Sequence, residues 1–321
     1  MIHEPTVFIL GAGASNPYGF PDGQSLLKVI KEKLYSKSIF DDYVSWIGSG
    51  VAYHPDEMRN EINGFKRGLE GSDPKSIDEF LAFEKNSSFV KLGKYLIASI
   101  INEHDPSDKA DGITGADGNW YQSLKTRMLQ GAESKIEKFL NNQVSFITFN
   151  YDSTLEEYFS RVIASNWGEN YIDHYFNAIP HIHIHGCLKK RNVVGGWDLP
   201  FGKKAVDPAQ VGKISKEIKL VHEGEDYPEM NNVLGLISNA KKLVFLGFGF
   251  HENNLLKLGL GQHEKIFNNK SYFATVKGMS SSEQEAAKAR FGRKVLETSK
   301  FHLINADCVR LFAEFDHELG S

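Results

Sequence analysis

The sequence opens with a short apolar run that passes directly into a glycine-rich turn, Val7-Phe-Ile-Leu-Gly-Ala-Gly-Ala-Ser15. Val7 to Leu10 are typical of a buried strand, and the glycines at 11 and 13 permit conformations and close approaches that other residues do not. After a loop with two prolines, apolar residues recur at helical spacing from Leu26 to Leu34. A strand, a glycine turn and a helix in this order leave backbone N–H groups free to meet a phosphate. The stretch therefore predicts a nucleotide site.

The composition limits the class of protein. Of the 321 residues, 41% are hydrophobic and 24% charged, as is typical of a globular protein, and the formal net charge is −4. This balance gives no electrostatic reason to expect nucleic acid or a membrane as a partner. Cys187 and Cys308 are the two cysteines, which excludes a disulfide framework and a four-cysteine zinc site. Because the sequence contains neither a signal-peptide pattern nor a long apolar run, we expect a cytoplasmic protein.

The rest of the chain alternates strand and helix patterns. Further strands are predicted at Val144–Phe149, His181–His185, Leu243–Leu246, Tyr272–Val276 and His302–Ile304. Strands separated by helices predict an α/β fold with an open parallel sheet, in which ligands bind beyond the carboxyl ends of the strands. Residues 36–142 have helical patterns and no evident strand, so we interpret them as a helical insertion. The remaining domain then consists of residues 1–35 and 143–321.

Polar residues at the predicted strand ends are candidates for chemistry, but several also have structural explanations. Asn150 and Asp152 are alternatively helix-capping residues, since the next helix starts near Ser153. Three histidines alternate on one strand face, at 181, 183 and 185, and such a set can bind a metal. No nearby run of carboxylates completes a metal-ligand shell, and His181 and His183 are more typical of histidines on the face of a sheet. His185 differs, because it ends its strand, where an imidazole can titrate and reach a ligand.

The order and spacing of these motifs together resemble the sirtuin family. The motifs are G-A-G-A-S with a following G-x-P-D, a strand ending in T-x-N-x-D, then H-G, then an apolar strand ending in G-x-G. The resemblance implies a Rossmann-like NAD site, although Asn16 replaces the third glycine of the dinucleotide fingerprint. It implies that Asn150 and Asp152 hold the nicotinamide-ribose end and that His185 is the general base. It also implies that NAD is held by Gly11, Ala12, Gly13, Ala14, Ser15, Pro21, Asp22, Gly247, Asp307 and Cys308.

The sequence departs from sirtuin deacylases in three ways. Gly23-Gln24 follows the G-x-P-D motif where deacylases have Phe-Arg, the four zinc-binding cysteines are missing, and Phe149 replaces the Gln before Asn150. The chain is instead similar to a bacterial sirtuin-like branch with a helical insertion. Marks of that branch are S-I-D with Asp78, F-N-Y-D and H-I-H-G. Members of it are typically NAD-hydrolysing effectors of anti-phage defence.

The resemblance implies an enzyme that uses NAD as its substrate and needs no metal. It also implies a homo-oligomer that works with a second defence protein, such as a translocase-type ATPase or an Argonaute-like sensor. Direct nucleic-acid and membrane contacts are not expected. Two other functions stay open on the residues alone, an NAD-dependent protein deacylase and a non-catalytic sensor of NAD or ADP-ribose.

Overall fold

A six-stranded, all-parallel sheet forms the centre of the computed structural model, which describes residues 1–48, 55–108, 112–132, 135–191, 199–220 and 229–320. The strands are β1 (Thr6–Leu10), β2 (Val144–Thr148), β3 (His181–His183), β4 (Lys242–Leu246), β5 (Ser271–Thr275) and β6 (Lys300–Ile304). Their order is β3-β2-β1-β4-β5-β6, so the direction of winding reverses at β1 and opens a crevice beyond the strand ends. The predicted α/β fold with an open parallel Rossmann-like sheet is confirmed.

The register of the sheet places the candidate residues side by side. All residues of β1, β2 and β4 are buried, as expected for central strands covered on both faces. Thr148 of β2 is paired with Leu10 of β1 on one side and with His183 of β3 on the other. Asn150 and His185 each lie two residues beyond a paired position. They therefore leave neighbouring strands at the same edge of the sheet.

Helices cover both faces of the sheet. In chain order they are α1 (Gly23–Lys33), α2 (Lys37–Gly48), α3 (Pro55–Ser72), α4 (Ile77–Phe83), α5 (Ser87–His104), α6 (Trp120–Leu129), α7 (Ile136–Leu140), α8 (Thr154–Asn166), α9 (Ile172–Ala178), α10 (Pro208–Ile214), α11 (Met230–Asn239), α12 (Glu252–Lys257), α13 (Ser281–Ala289), α14 (Arg293–Thr298), α15 (Cys308–Glu314) and α16 (Asp316–Gly320). Within the described ranges, no helix is long and apolar enough to cross a membrane.

The described residues between α1 and β2 form helices α2 to α7 and share a core with the sheet. Phe65 and Trp120 belong to the same buried cluster as Phe8 and Phe146. The sequence predicts one helix from Trp120 to about Leu140, and this is wrong. Helix α6 ends at Leu129, because Gly131 adopts a left-handed conformation with φ of 74°, and α7 starts at Ile136. Residues 133–134 lie outside the described residues.

Candidate active site at the strand ends

The glycine turn after β1 is packed backbone to backbone against the turn after β4. The N–H groups of Gly11 and Gly13 donate to the carbonyl oxygens of Leu246 (3.0 Å) and Gly247 (3.1 Å). A Cβ on Gly11 would lie 2.5 Å from the Gly247 oxygen, so the contact requires glycine. Within the turn, Ala14 and Ser15 donate to carbonyls of the turn itself. Four of the five N–H groups of residues 11–15 are thus engaged, which leaves fewer for a phosphate than the sequence pattern suggests.

Asn150 joins this turn to the end of β2. Its Nδ2 donates to the Gly11 carbonyl oxygen at 3.0 Å and to Ser15 Oγ at 2.9 Å. Because a carbonyl oxygen only accepts, the atom that faces Gly11 is the amide nitrogen, and the other is Oδ1. This Oδ1 is buried and has no hydrogen-bond partner among the described residues. An unpaired buried acceptor is costly, so an ordered water or a bound ligand hydroxyl is expected to fill its place.

Asp152 is hydrogen-bonded to the same turn. It accepts a hydrogen bond from Ser15 Oγ (2.7 Å), one from the Thr154 backbone N–H (3.1 Å) and one from the Thr154 hydroxyl. Burial raises the pKa of this carboxyl group. The sequence predicts that Asp152 orients His185 or a ribose. In the structure it binds Ser15 and Thr154, so it fixes the hydroxyl that holds Asn150.

Ser153 and Glu156 have the S-x-x-E spacing that predicts a capping box at the start of α8, and this prediction is wrong. Ser153 makes no side-chain cap bond and instead donates to Glu157 Oε1 at 2.7 Å. Glu156 Oε1 lies 3.2 Å from His181 Nδ1 and 2.8 Å from His183 Nε2. Burial alone would raise the pKa of Glu156, but His183 and then His181 hold it well below its usual range. These two histidines therefore bind a helix α8 carboxylate across the sheet face, and the described residues contain no group of three side chains that could hold a metal.

His185 is buried just beyond the end of β3. It is 5% exposed, and its ring packs against Phe149 and Tyr151 at centroid distances of 5.6 and 5.9 Å. Its Nδ1 lies 3.3 Å from the Lys219 carbonyl oxygen and 3.3 Å from Lys257 Nζ. Burial and, next, the charge of Lys257 lower the pKa of His185 to about 4. The imidazole is therefore neutral at pH 7 and has a lone pair with which to accept a proton.

Three residues near His185 are not assigned to the site by the sequence motifs, namely Asp78, Tyr151 and Lys257. Asp78, the second residue of α4, accepts a hydrogen bond from the Tyr151 hydroxyl at 2.6 Å, and its charge acts on both His185 and Lys257. Tyr151 lies between Asn150 and Asp152, so its position in the chain was a usable signal. Asp78 belongs to the S-I-D motif of the sirtuin-like branch, which assigns it no role. Lys257 ends the short helix α12 and carries no motif at all.

The residues predicted to bind the other end of NAD take part in local structure. Asp22 caps α1 by accepting from Ser25 N–H at 2.8 Å, and Asp307 caps α15 by accepting from Arg310 N–H at 2.9 Å. Cys308 is buried, which raises the pKa of its thiol to about 12. Gly247 donates its N–H to Thr275 Oγ1 at 2.8 Å, and Pro21 is half-buried beside Asp22. Their contact with NAD stays a prediction.

Residues of helix α6 and its N-terminal cap pack against the glycine turn and the residues that follow it. The Trp120 indole N–H donates to the Ala14 carbonyl oxygen at 2.8 Å, and both groups are buried. The ring of Tyr18 stacks on Tyr121 at 4.1 Å, and the Tyr18 hydroxyl donates to Asn119 Oδ1 at 3.1 Å. Residues of α6 and its N-terminal cap therefore fix the turn that Asn150 contacts.

A buried ion cluster links the segment after α5 to helix α8 and to the segment after β3. Lys189 Nζ lies 2.6 Å from Asp105 Oδ2 and 2.8 Å from Glu157 Oε1, and it donates to Ser107 Oγ at 2.7 Å. The charged side chains of Lys189, Asp105 and Glu157 are 2–6% exposed. The cluster lies against the segment that carries Asp152 and Ser153, because the same Glu157 oxygen accepts from Ser153.

The strand ends thus bring together a buried acceptor with no partner among the described residues, a neutral imidazole, and a lysine whose pKa is lowered by burial and partly restored by the charge of Asp78. Asn150, Asp152 and the glycine turn are joined by direct hydrogen bonds, whereas His185 is hydrogen-bonded to Lys219 and Lys257 instead of Asp152. The chain matches none of the protein-family models and none of the curated proteins. The chemistry proposed below therefore rests on this geometry and on the motif resemblance.

Proposed function

We propose that the protein is an NAD+ glycohydrolase that releases nicotinamide and ADP-ribose. The observation that carries the proposal is the buried, unpaired Oδ1 of Asn150, fixed by Nδ2 against the glycine turn and one strand away from His185. An amide held in this way offers one acceptor to a hydroxyl group. A ribose, which has two neighbouring hydroxyls, or the attacking water supplies such a donor.

The reaction needs little beyond orientation and a proton acceptor. Nicotinamide in NAD is cationic and leaves as a neutral molecule, so the barrier lies in the positive charge that develops on the ribose. Asn150 orients a ribose hydroxyl or the water, and the surrounding pocket excludes other water. The C–N bond breaks with its electron pair going to nicotinamide, water forms the new C–O bond, and His185 takes one water proton. General-base catalysis of this kind contributes about 10²–10⁴-fold.

The biological role is proposed from the motif resemblance. An enzyme that depletes NAD suits an effector of bacterial anti-phage defence, acting in the cytoplasm where its substrate is abundant. Such an activity requires control. We therefore also propose a homo-oligomer that is switched on by a second protein, a translocase-type ATPase or an Argonaute-like sensor.

Product analysis with matched variants tests the function. Purified wild type is incubated with NAD, alone and with candidate partner proteins, and the products are identified by chromatography and mass spectrometry. We expect equal amounts of nicotinamide and ADP-ribose, and a loss of at least about 100-fold for Asn150→Ala and His185→Ala. Asn166→Ala and His174→Ala, exposed positions on α8 and α9, are the controls and should keep full activity.

Calorimetry of NAD binding separates the alternatives. A hydrolase whose His185→Ala variant still binds NAD but does not turn it over supports the proposal. A wild type that binds NAD and leaves it intact under all these conditions contradicts it and favours a non-catalytic sensor. Transfer of an acyl group from an acyl-lysine peptide to ADP-ribose would favour the deacylase.

A further inference from the structure

The surroundings of His185 make it a weaker base than the proposed reaction needs. A base with a pKa of about 4 accepts a proton poorly at pH 7. Its Nδ1 also has two competing neighbours, since the Lys219 carbonyl oxygen accepts hydrogen bonds and a protonated Lys257 donates them, each at 3.3 Å. For Nε2, the ring nitrogen on the other edge, the described parts of the chain show no hydrogen bond.

The two neighbours impose opposite tautomers on the imidazole. If Lys257 is an ammonium that donates to Nδ1, the imidazole proton is on Nε2, which then has no lone pair for a substrate proton. If Lys257 is a neutral amine, Nδ1–H donates to the Lys219 carbonyl, and Nε2 carries the lone pair. The loss of the ammonium charge also removes one of the two causes that make His185 a weak base.

We propose that Lys257 is a positioning residue whose charge decides which nitrogen of His185 carries the proton, with Asp78 as its counter-charge. The inference rests on the proposed function of His185 as the base. Lys257 comes from α12 and Asp78 from α4, so two elements far apart in the chain set the state of the base. Among the described residues, the Lys219 carbonyl and the rings of Phe149 and Tyr151 also face His185.

Lys257 is able to change its charge in the working range of an enzyme. It is half-buried, and burial lowers its pKa to about 8, while Asp78 acts in the opposite direction. The Tyr151 hydroxyl holds Asp78 in place at 2.6 Å, and Tyr151 follows Asn150 directly. A movement of α4 would therefore alter the charge balance at His185. By this contact the insertion becomes part of the active site.

The pH dependence of turnover tests the proposal. For wild type, kcat with saturating NAD should rise about tenfold between pH 7 and pH 9, following the loss of the Lys257 proton. Lys257→Met has no charge and should keep its base in the active tautomer, so its kcat should be flat over this range. Lys257→Arg keeps a permanent charge and should stay at or below about a tenth of wild type at pH 9. Asp78→Asn should move the rise to lower pH.

A purely structural lysine gives a different result. In that case Met and Arg variants lose activity with the wild-type pH profile, and a shared profile in all three proteins overturns the proposal. Thermal unfolding of each variant confirms that it is folded. The Michaelis constant should stay within about threefold, because Lys257 acts on the base and not on substrate binding.

A spectroscopic measurement keeps this test independent of catalysis. The ¹⁵N shifts of the His185 ring, assigned with His185→Gln, report the tautomer in protein without NAD. We expect the proton to move from Nε2 to Nδ1 between pH 7 and pH 9 in wild type, and to stay on Nδ1 in Lys257→Met. No movement in wild type contradicts the inference even if NAD is cleaved. A movement in a protein that leaves NAD intact contradicts the proposed function alone.

Discussion

The crevice has two halves that differ in how far their polar groups are already satisfied. After β2 and β3, Asn150 has a buried acceptor with no partner among the described residues, and His185 is a neutral imidazole beside a lysine. After β4 to β6, the predicted ligand residues are used by the fold, since Gly247 packs on the glycine turn and Asp307 caps a helix. A buried polar atom that lacks a hydrogen-bond partner in the protein is expected to bind a water molecule or a ligand. The first half is therefore where we place the chemistry.

The first half of the crevice depends on buried charges, and the substitution Lys189→Met is expected to cause the largest loss of folding stability. The change leaves Asp105 and Glu157 buried without their cation, so we expect unfolding to become easier by about 3–5 kcal/mol, measured by denaturant titration. The control is Lys190→Met, whose ion pair with Glu217 is about 40% exposed on both sides and should cost less than about 1 kcal/mol. Equal effects of the two changes would mean that the buried cluster does not support this half.

The second half depends on backbone packing, and Gly247→Ala tests it. Gly247 has φ of 56°, and a Cβ there would lie 2.1 Å from the Ala14 nitrogen, so strain and overlap should cost about 3 kcal/mol or more. Gly235→Ala is the matched control, because it lies in α11 with open space around it and should be neutral or stabilise by about 1 kcal/mol. A stable Gly247→Ala protein would show that the two turns can separate.

The two halves also differ in what the sequence can reveal. Strand and helix patterns are local, so the parallel sheet and the positions of Asn150 and His185 at strand ends could be predicted. The contact between Tyr151 and Asp78 joins residues 73 positions apart, and that between Lys257 and His185 joins residues 72 apart. Both depend on how α4 and α12 pack, which no local pattern encodes. Asp78 belongs to a motif that assigns it no role and Lys257 to none, so their place beside His185 emerges only from the fold.

Capping errors have a similar cause. Ser153 and Glu156 have capping-box spacing, but two histidines from a different strand bind the glutamate, and Glu157 takes the serine hydroxyl. Histidines of β3 thus hold the glutamate, and a carboxylate one helical turn further along holds the serine, so neither side chain is left for the cap. Asp307 shows the opposite case. The motif resemblance implies that it binds the ligand, but its carboxylate accepts a hydrogen bond from the first turn of its own helix.

Asp307 gives the smallest but most discriminating test of the comparison. If its role is to cap α15, Asp307→Ala should lose about 1 kcal/mol of stability and Asp307→Asn only a few tenths, since asparagine caps equally well. Both variants should keep the NAD Michaelis constant within about twofold. If Asp307 instead binds NAD, as the motif resemblance implies, the asparagine variant should be as stable as wild type and yet have a clearly raised Michaelis constant. Because the amide preserves the cap and removes only the charge, a tenfold rise in that variant would show that a residue satisfied in the structure can also serve the ligand.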